Sequence, residues 1–420
     1  MITLKSRRYQ DALTHDALNA HNLLKGAPVK GVLLTVPSTA RSTYQEAVVL
    51  SETSPHNTSD REFGGGNEQP IARVSIKLRS FDVNATLDFA ARQLNQTLSS
   101  ISAKEGNSSD GSWSFVKEGG WAAGFFPGSL WKMYQITGNE EWKEVATKWT
   151  QALKHAATID EHDIGQIMAV SVGNAYSSTD SILLWVPYVR GPSQTFQAIA
   201  IVSLMDLDTL FLSENGDPLA PFSQLAVIHA KTLERELFRY PNYSTWNFID
   251  FNATSGQVVG RATNQGYADN STWARGQAWA VYAYYKLYRW TNDESFLNTS
   301  RGAADYFLSQ GLPDDFVPYW DFDAPRPTYR DTSAASPLAC GLLGLASLEV
   351  SPKDSRYYTA AEGILTSLSN RPYLSVDTPS QSILLQGTQN EPQHNHDTGT
   401  SWGDYYFLEA IQLYSNVRGQ

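Results

Sequence analysis

Cysteine is nearly absent from this chain. Cys340 stands alone among 420 residues, which excludes an intrachain disulfide framework and most cysteine-based metal sites. Its setting, Leu338-Ala-Cys-Gly-Leu-Leu343, predicts a small buried apolar side chain. Positive charge is also short. Lys and Arg number 32 against 43 Asp and Glu, a formal net charge of -11, which argues against nucleic acid and anionic membranes as partners. An acidic substrate would therefore need a local positive group. No run of about twenty apolar residues occurs, so no transmembrane helix is expected. The N-terminal Met1–Tyr9 lacks the apolar region of a signal peptide, and cytoplasmic and secreted locations both stay open. A phosphate-binding glycine loop, a Gly-x-Ser-x-Gly elbow and His or Cys pairs at metal spacing are all missing. No strand–helix alternation appears, which disfavours Rossmann and TIM designs.

Aromatic residues are plentiful, with 12 Trp and 21 Tyr, and the densest stretch is Gln265–Trp279. It holds Trp273, Trp279, Tyr267, Arg275, Gln265 and Gln277 and runs into an aromatic segment, Ala280–Tyr288. Pyranose C–H faces stack on indole rings, while amide and guanidinium donors suit hydroxyls or a carboxylate. Arg275 is the positive group an acidic sugar would need. The alternative reading is a buried helix start whose Trp and Arg fill the core. Asn-x-Ser/Thr sequons begin at Asn57, Asn84, Asn95, Asn107, Asn242, Asn252, Asn270 and Asn298, a density that hints at a secreted ancestry.

Residues 1–75 show little helical periodicity, and Ser51–Pro70 reads as a loose linker. This portion is expected to be a poorly ordered tail ahead of one domain, 76–420. From about residue 80 a helical theme recurs with a period of roughly fifty residues. An aromatic, Gly-Ala-rich helix ends in a polar turn and a second helix follows. Thr137-Gly-Asn-Glu140, Thr291-Asn-Asp-Glu294, Ser351-Pro-Lys-Asp354 and Glu214-Asn-Gly-Asp-Pro218 are such turns, built from residues that end one helix and cap the next. Helices are expected over Leu204–Leu212 and near Phe222–Phe238. Five or six such hairpins close into a double ring with a pocket at one end. Trp121 precedes one inner helix. His162 and Asp163 stand together at the start of another, where Asp163 by itself reads as an N-cap.

Seven motifs occur in order: Trp121–Gly128, His162–Gly165, Gln265–Tyr267, Ser271–Trp279, Val317–Asp323, Arg330–Ala335 and Gly403–Ala410. Over residues 80 to 415 they closely resemble glycoside hydrolase family 88, the unsaturated glucuronyl hydrolases, and look most like its fungal members. The resemblance implies an all-α (α/α)6 barrel and an unsaturated uronic-acid oligosaccharide as substrate. It implies release of a 4,5-unsaturated uronate from the non-reducing end. An aspartate protonates C4 of the vinyl ether, water adds at C5, and the hemiketal collapses; no metal or organic cofactor is implied. This differs from displacement at C1 by paired carboxylates, though acid–base work by a carboxyl group is still required. Asp163 matches one of two family aspartates and His162 its neighbour. Trp121, Gln265, Trp273, Arg275 and Trp279 match residues that hold the unsaturated sugar.

The second family aspartate, the proton donor and general base, has no counterpart. Aligning Leu204-Met-Asp-Leu207 with its helix places Val202 where that aspartate belongs, and valine transfers no proton. Ser181–Pro192 fits nothing in the family pattern, and roughly twenty family residues are missing before this helix. Asn247 and Gln386 stand where histidines are usual. Three readings follow: a faulty gene model around 177–203, a sugar-binding pseudoenzyme, or Asp206 substituting. Asp206 lies one helical turn from Val202, a displacement of about 5–6 Å that proton transfer tolerates poorly, so it is a weak substitute.

Overall fold

The computed structural model describes residues 32–36, 81–103, 111–116, 120–153, 156, 164–179, 220–252 and 255–419. Helical hairpins dominate them. Helix α1 (Val83–Ala103) is followed by the pair α2 (Phe125–Thr137) and α3 (Glu140–Ala152). Then come α4 (Ile164–Met168), a π-helical turn (Ala169–Gly173) and α5 (Asn174–Thr179). After α6 (Ala220–Leu237) the chain forms α7 (Ala274–Thr291) and α8 (Glu294–Ser309), α9 (Thr332–Ala346) and α10 (Arg356–Leu368), and finally α11 (Ser401–Gly419). The expected Leu204–Leu212 helix lies outside the described residues.

The turns work as their residues predict. Gly138 ends α2 in the left-handed region, φ 66°, and the Asn139 side chain accepts from Glu141 N to start α3. Asn292, φ 53°, ends α7, and Asp293 caps α8 through Ser295 N. An αL residue followed by an Asx cap reverses the chain in two residues. Helix α9 begins at Thr332, seven residues before the segment with obvious apolar periodicity, because Asp331 caps it through Ser333 N.

α7, α9, α11 and α2 are neighbours in that order, with α4 and α5 beside α2; α8, α10 and α3 back α7, α9 and α2 from outside. Inner helices are apolar and small-sided: all 15 residues of α9 are buried. A Cβ at Gly344 would collide with the Tyr285 ring, and one at Gly128 with Val170 O and the Tyr405 ring. These inner helices run parallel. Arg275, Ser333, Trp402 and Phe125 lie at their starts. Seven residues further along each stand Tyr282, Cys340, Glu409 and Lys132. Seven residues advance a helix by about 10 Å, and there the four meet again. Tyr282 donates to Glu409, Lys132 lies 4.0 Å from the same carboxylate, and Cys340 Sγ donates to Tyr406 O. The barrel lumen is thus layered, with the upper layer at the helix N-termini.

Short strands finish that end. β1 (Val32–Val36), inside the stretch read as tail, pairs antiparallel with β2 (Ser114–Val116) and with β7 (Gly399–Thr400), which leads directly into α11. The rest of 1–80 lies outside the described residues. Between α6 and α7, β3 (Phe238–Arg239) pairs with β4 (Ser244–Thr245), and β5 (Phe248–Phe251) with β6 (Val258–Ala262). No helix among the described residues is long and apolar enough to cross a membrane.

Helix α11 is anchored by Asp404, whose two buried oxygens accept from Ile383 N and Leu384 N, each at 2.9 Å. Burial pushes this carboxyl up to about 7, against the opposing pull of those two N–H groups. A folded-state pKa above the unfolded one gives a contribution that is present at low pH and lost as pH rises through about 7. Stability should therefore decline between pH 5 and 7 by on the order of 2 kcal/mol from this group. Urea denaturation of wild type and Asp404→Asn at both pH values checks it: the slope belonging to Asp404 should vanish in the variant.

Candidate active site

The upper layer is organised around Arg275, the second residue of α7. Its side chain is not exposed at all. Nη1 donates to Asp331 Oδ2 at 3.0 Å, to Ser333 Oγ at 2.9 Å and to Thr388 O; Nη2 donates to Gln265 Oε1 at 2.8 Å and to Gln389 O at 2.7 Å. The guanidinium also lies over three indoles, 4.5 Å from Trp273, 5.5 Å from Trp402 and 5.7 Å from Trp279. Desolvating a guanidinium costs several kcal/mol unless its donors are matched, and this shell of carboxylate, carbonyls and ring faces matches both Nη groups, while Nε has no hydrogen-bond partner among the described residues. Burial lowers the Arg275 pKa while the Asp331 charge opposes it, and burial raises that of Asp331 while Arg275 opposes.

Asp331 is equally buried. Its Oδ1 accepts from Ser333 N, Ser333 Oγ and Thr388 N. One carboxylate thereby joins the starts of α7 and α9 to the bridged segment Gly387–Thr398. Thr388 Oγ1 in turn donates to Arg330 O.

Gln265 is half-buried at the front of this shell. With Oε1 taken by Arg275, the amide keeps its two Nε2 hydrogens as donors. A buried cation behind the carbonyl polarises the amide and strengthens those donors. The loop carrying Gln265 is held from behind. Asn247 Oδ1 accepts from Thr263 Oγ1, Asn264 N and Gln265 N, so this asparagine orients the loop where a histidine is usual. Further along, Asp321 Oδ2 accepts from Tyr267 N at 2.9 Å and Ser271 Oγ at 2.7 Å, and Trp273 bridges to Asp321.

Trp121, half-buried, packs on Trp402 at 4.5 Å, and Trp402 also touches Arg275, so the Trp121 turn joins the cluster. Trp273 meets Trp279 edge-on at 5.5 Å. Helix α4 abuts the same turn, since a Cβ at Gly124 would collide with Ile167 O. Tyr329 stacks on His396 at 3.6 Å, and Tyr329 packs on Trp273 and Trp320. Among the buried donors without a hydrogen-bond partner in the described residues are Arg275 Nε, Trp279 Nε1 and Trp402 Nε1.

Trp121, Gln265, Trp273, Arg275 and Trp279 therefore come together. His162 and Asp163 lie outside the described residues, as do Val202 and Asp206. Every Nη donor of Arg275 is committed to protein acceptors, Gln265 among them. Within Gln265–Trp279, Arg275 and Trp273 are buried, and Gln265 and Trp279 are half-buried. Sequence reasoning assigned no role to Asp331, Trp402 or Thr388. The Asp331-Thr-Ser333 cap pattern was the one local signal for the first. No group of three or more His, Cys, Asp or Glu among the described residues could hold a metal ion.

No family model matches the chain. It is similar to the unsaturated glucuronyl hydrolase of Formosa agariphila, 32% identical over 327 residues, which cover 71% of this chain and 80% of that protein. The crystal structure of an unsaturated glucuronyl hydrolase specific for heparin superposes with a TM-score of 0.72 at 28% identity, over 80% of this chain and 98% of that one. An Asp-to-Asn mutant of the Streptococcus agalactiae enzyme, complexed with dGlcA-GalNAc6S, superposes with a TM-score of 0.69 at 25% identity, over 85% of this chain and 99% of that one.

Truncating Asp331 strands the Arg275 charge in the interior. Asp331→Ala should cost about 3–5 kcal/mol, read by urea denaturation; a loss below about 1 kcal/mol, the scale of a surface pair, would mean the pair is not the keystone described.

Proposed function

The chain belongs to glycoside hydrolase family 88, the unsaturated glucuronyl hydrolases, and we propose that Gln265, polarised by Arg275, holds the carboxylate of a 4,5-unsaturated uronate in its pocket. It is a glycoside hydrolase of the (α/α)6 type, acting on unsaturated uronic-acid oligosaccharides. The observation that carries the carboxylate reading is the half-buried Gln265 amide, whose Oε1 accepts from the buried Arg275 and whose Nε2 remains its donor, with the partly exposed rings of Trp121 and Trp279 in the same cluster. An anion with sp² oxygens satisfies such donors better than water does. The Streptococcus agalactiae relative holds dGlcA-GalNAc6S, and the same class of sugar is the ligand proposed here.

Turnover then needs a proton at C4 and water at C5 of the vinyl ether. Asp163 is the carboxyl group carried over from the resemblance for this work. Val202 stands where the second carboxylate belongs, and general acid–base groups contribute about 10²–10⁴ in rate. The chain as written therefore binds the uronide and turns it over slowly, or binds it without turnover.

An unsaturated disaccharide separates these. Loss of its conjugated-alkene ultraviolet absorbance, abolished in Asp163→Asn, establishes hydrolysis. A uronide-dependent rise in Tm without absorbance loss establishes the binding barrel. Val202→Asp should raise kcat/KM by about 10²–10⁴. Neither turnover nor a Tm rise at millimolar sugar would overturn the proposed pocket.

A further inference from the structure

Two large aromatic side chains stand exposed among the described residues, Tyr240 and Tyr267, each at 52%. Each directly precedes a sequon. Tyr240 lies two residues before Asn242-Tyr-Ser244, and Tyr267 three residues before Asn270-Ser-Thr272. The exposure of the sequon asparagines is itself uneven with respect to the rest. Asn84, Asn95, Asn242, Asn252, Asn270 and Asn298, the six that are described, are all exposed. The nine other described asparagines divide into four exposed, four half-buried and one buried.

The two tyrosine-led sequons also share one clasp. Arg239 Nη1 donates to Ser244 Oγ at 3.1 Å and to Thr272 Oγ1 at 3.0 Å, while Nη2 donates to Ser271 O at 2.9 Å. Both hydroxyl residues are 2% exposed, so the sequons are fixed at their inner ends and open at their asparagines. Each asparagine sits on a tight reversal. Pairing of Arg239 with Ser244 closes one, and Asp321 Oδ2, bound to Tyr267 N and Ser271 Oγ, closes the other. Asn242 uses its Oδ1 to accept from Ser244 N and Oγ. That leaves the Nδ2 side of the amide directed away from the turn.

We propose that Asn242 and Asn270 carry N-linked glycans, and that the first sugar of each packs its C–H face on Tyr240 and Tyr267. In a reversal of four or five residues, a side chain two or three positions ahead is within reach of a sugar on the asparagine. Tyr240 packs edge-on against Tyr243 at 5.0 Å and donates to Glu234 O, and pyranose stacking would cover the part of each ring that stays open. The co-reactant is an oligosaccharide held on a lipid diphosphate. Asn Nδ2 bonds to its anomeric carbon, the carbon–oxygen bond to the diphosphate breaks, the lipid diphosphate leaves, and the amide gives up one proton. The chain is therefore a client of a glycosylating secretory lumen, and the Asn270 glycan stands five residues along the chain from Gln265. This inference stands apart from the sugar-pocket reading and does not depend on turnover.

Peptide mapping of the full-length protein, purified from the cells that make it, tests this. Enzymatic release of N-linked glycans in heavy-oxygen water converts each occupied asparagine to a labelled aspartate. Label at both Asn242 and Asn270 is expected; absence of label, or label confined to the other sequons, overturns the proposal. On glycosylated protein, release of the glycans should lower Tm, and the Tyr240→Ala/Tyr267→Ala double variant should lose that difference. An unchanged difference would overturn the stacking.

Discussion

A single buried ion pair holds the working end of this barrel together. Arg275 and Asp331 are both wholly removed from solvent, 56 residues apart in sequence and 3.0 Å apart in space. Such a pair gains little over an apolar filling of the same volume, because desolvation offsets the attraction. Its value is geometric. Asp331 caps α9 and receives Thr388, and Arg275 spends its remaining donors on Thr388, Gln389 and Gln265. Two inner helices, one bridged segment and one pocket side chain are fixed by the same two groups. The charge stands directly behind the Gln265 amide, with Arg275 Nη2 donating to its Oε1.

The rest of the barrel makes that pair affordable to a small volume. Parallel inner helices place their N-termini in one plane, where capping groups and loops must already gather. Glycine and alanine on α2, α7 and α9 let the helices approach until tryptophans can wall the cluster. One layer down, Glu409, Tyr282, Cys340 and Lys132 repeat the arrangement with weaker complementarity, and burial raises the Cys340 thiol well above its usual range. That thiol is inert packing, as its apolar neighbours in the sequence imply.

Much of this was legible because it is local. The turns Gly138-Asn139 and Asn292-Asp293 declare themselves, since an αL residue and an Asx cap act within two or three positions. The hairpin period followed, and with it the two-layered ring. The start of α9 was not legible: Thr332-Ser-Ala-Ala-Ser336 is polar or small, and its burial comes from α7 and α11 packing on it. Strand β1 was hidden for the same reason, because its pairing partners lie far along the chain. Arg275 looked like a ligand group because nothing near it in sequence shows a carboxylate waiting behind it. That Trp121, Gln265, Trp273, Arg275 and Trp279 belong together was legible as a set of motifs, while the order in which they stand from core to solvent is a tertiary property.

The central claim is that Arg275 acts on the substrate through Gln265. Calorimetric titration of an unsaturated uronyl disaccharide into wild type, Arg275→Lys, Gln265→Ala and the double variant measures it directly. Lysine keeps the charge but lacks the fork that reaches both Asp331 and Gln265. The account predicts that Arg275→Lys weakens binding about tenfold, roughly 1.4 kcal/mol, in wild type and has no further effect once Gln265 is alanine. An equal loss in both backgrounds would show Arg275 touching the sugar itself and would contradict it.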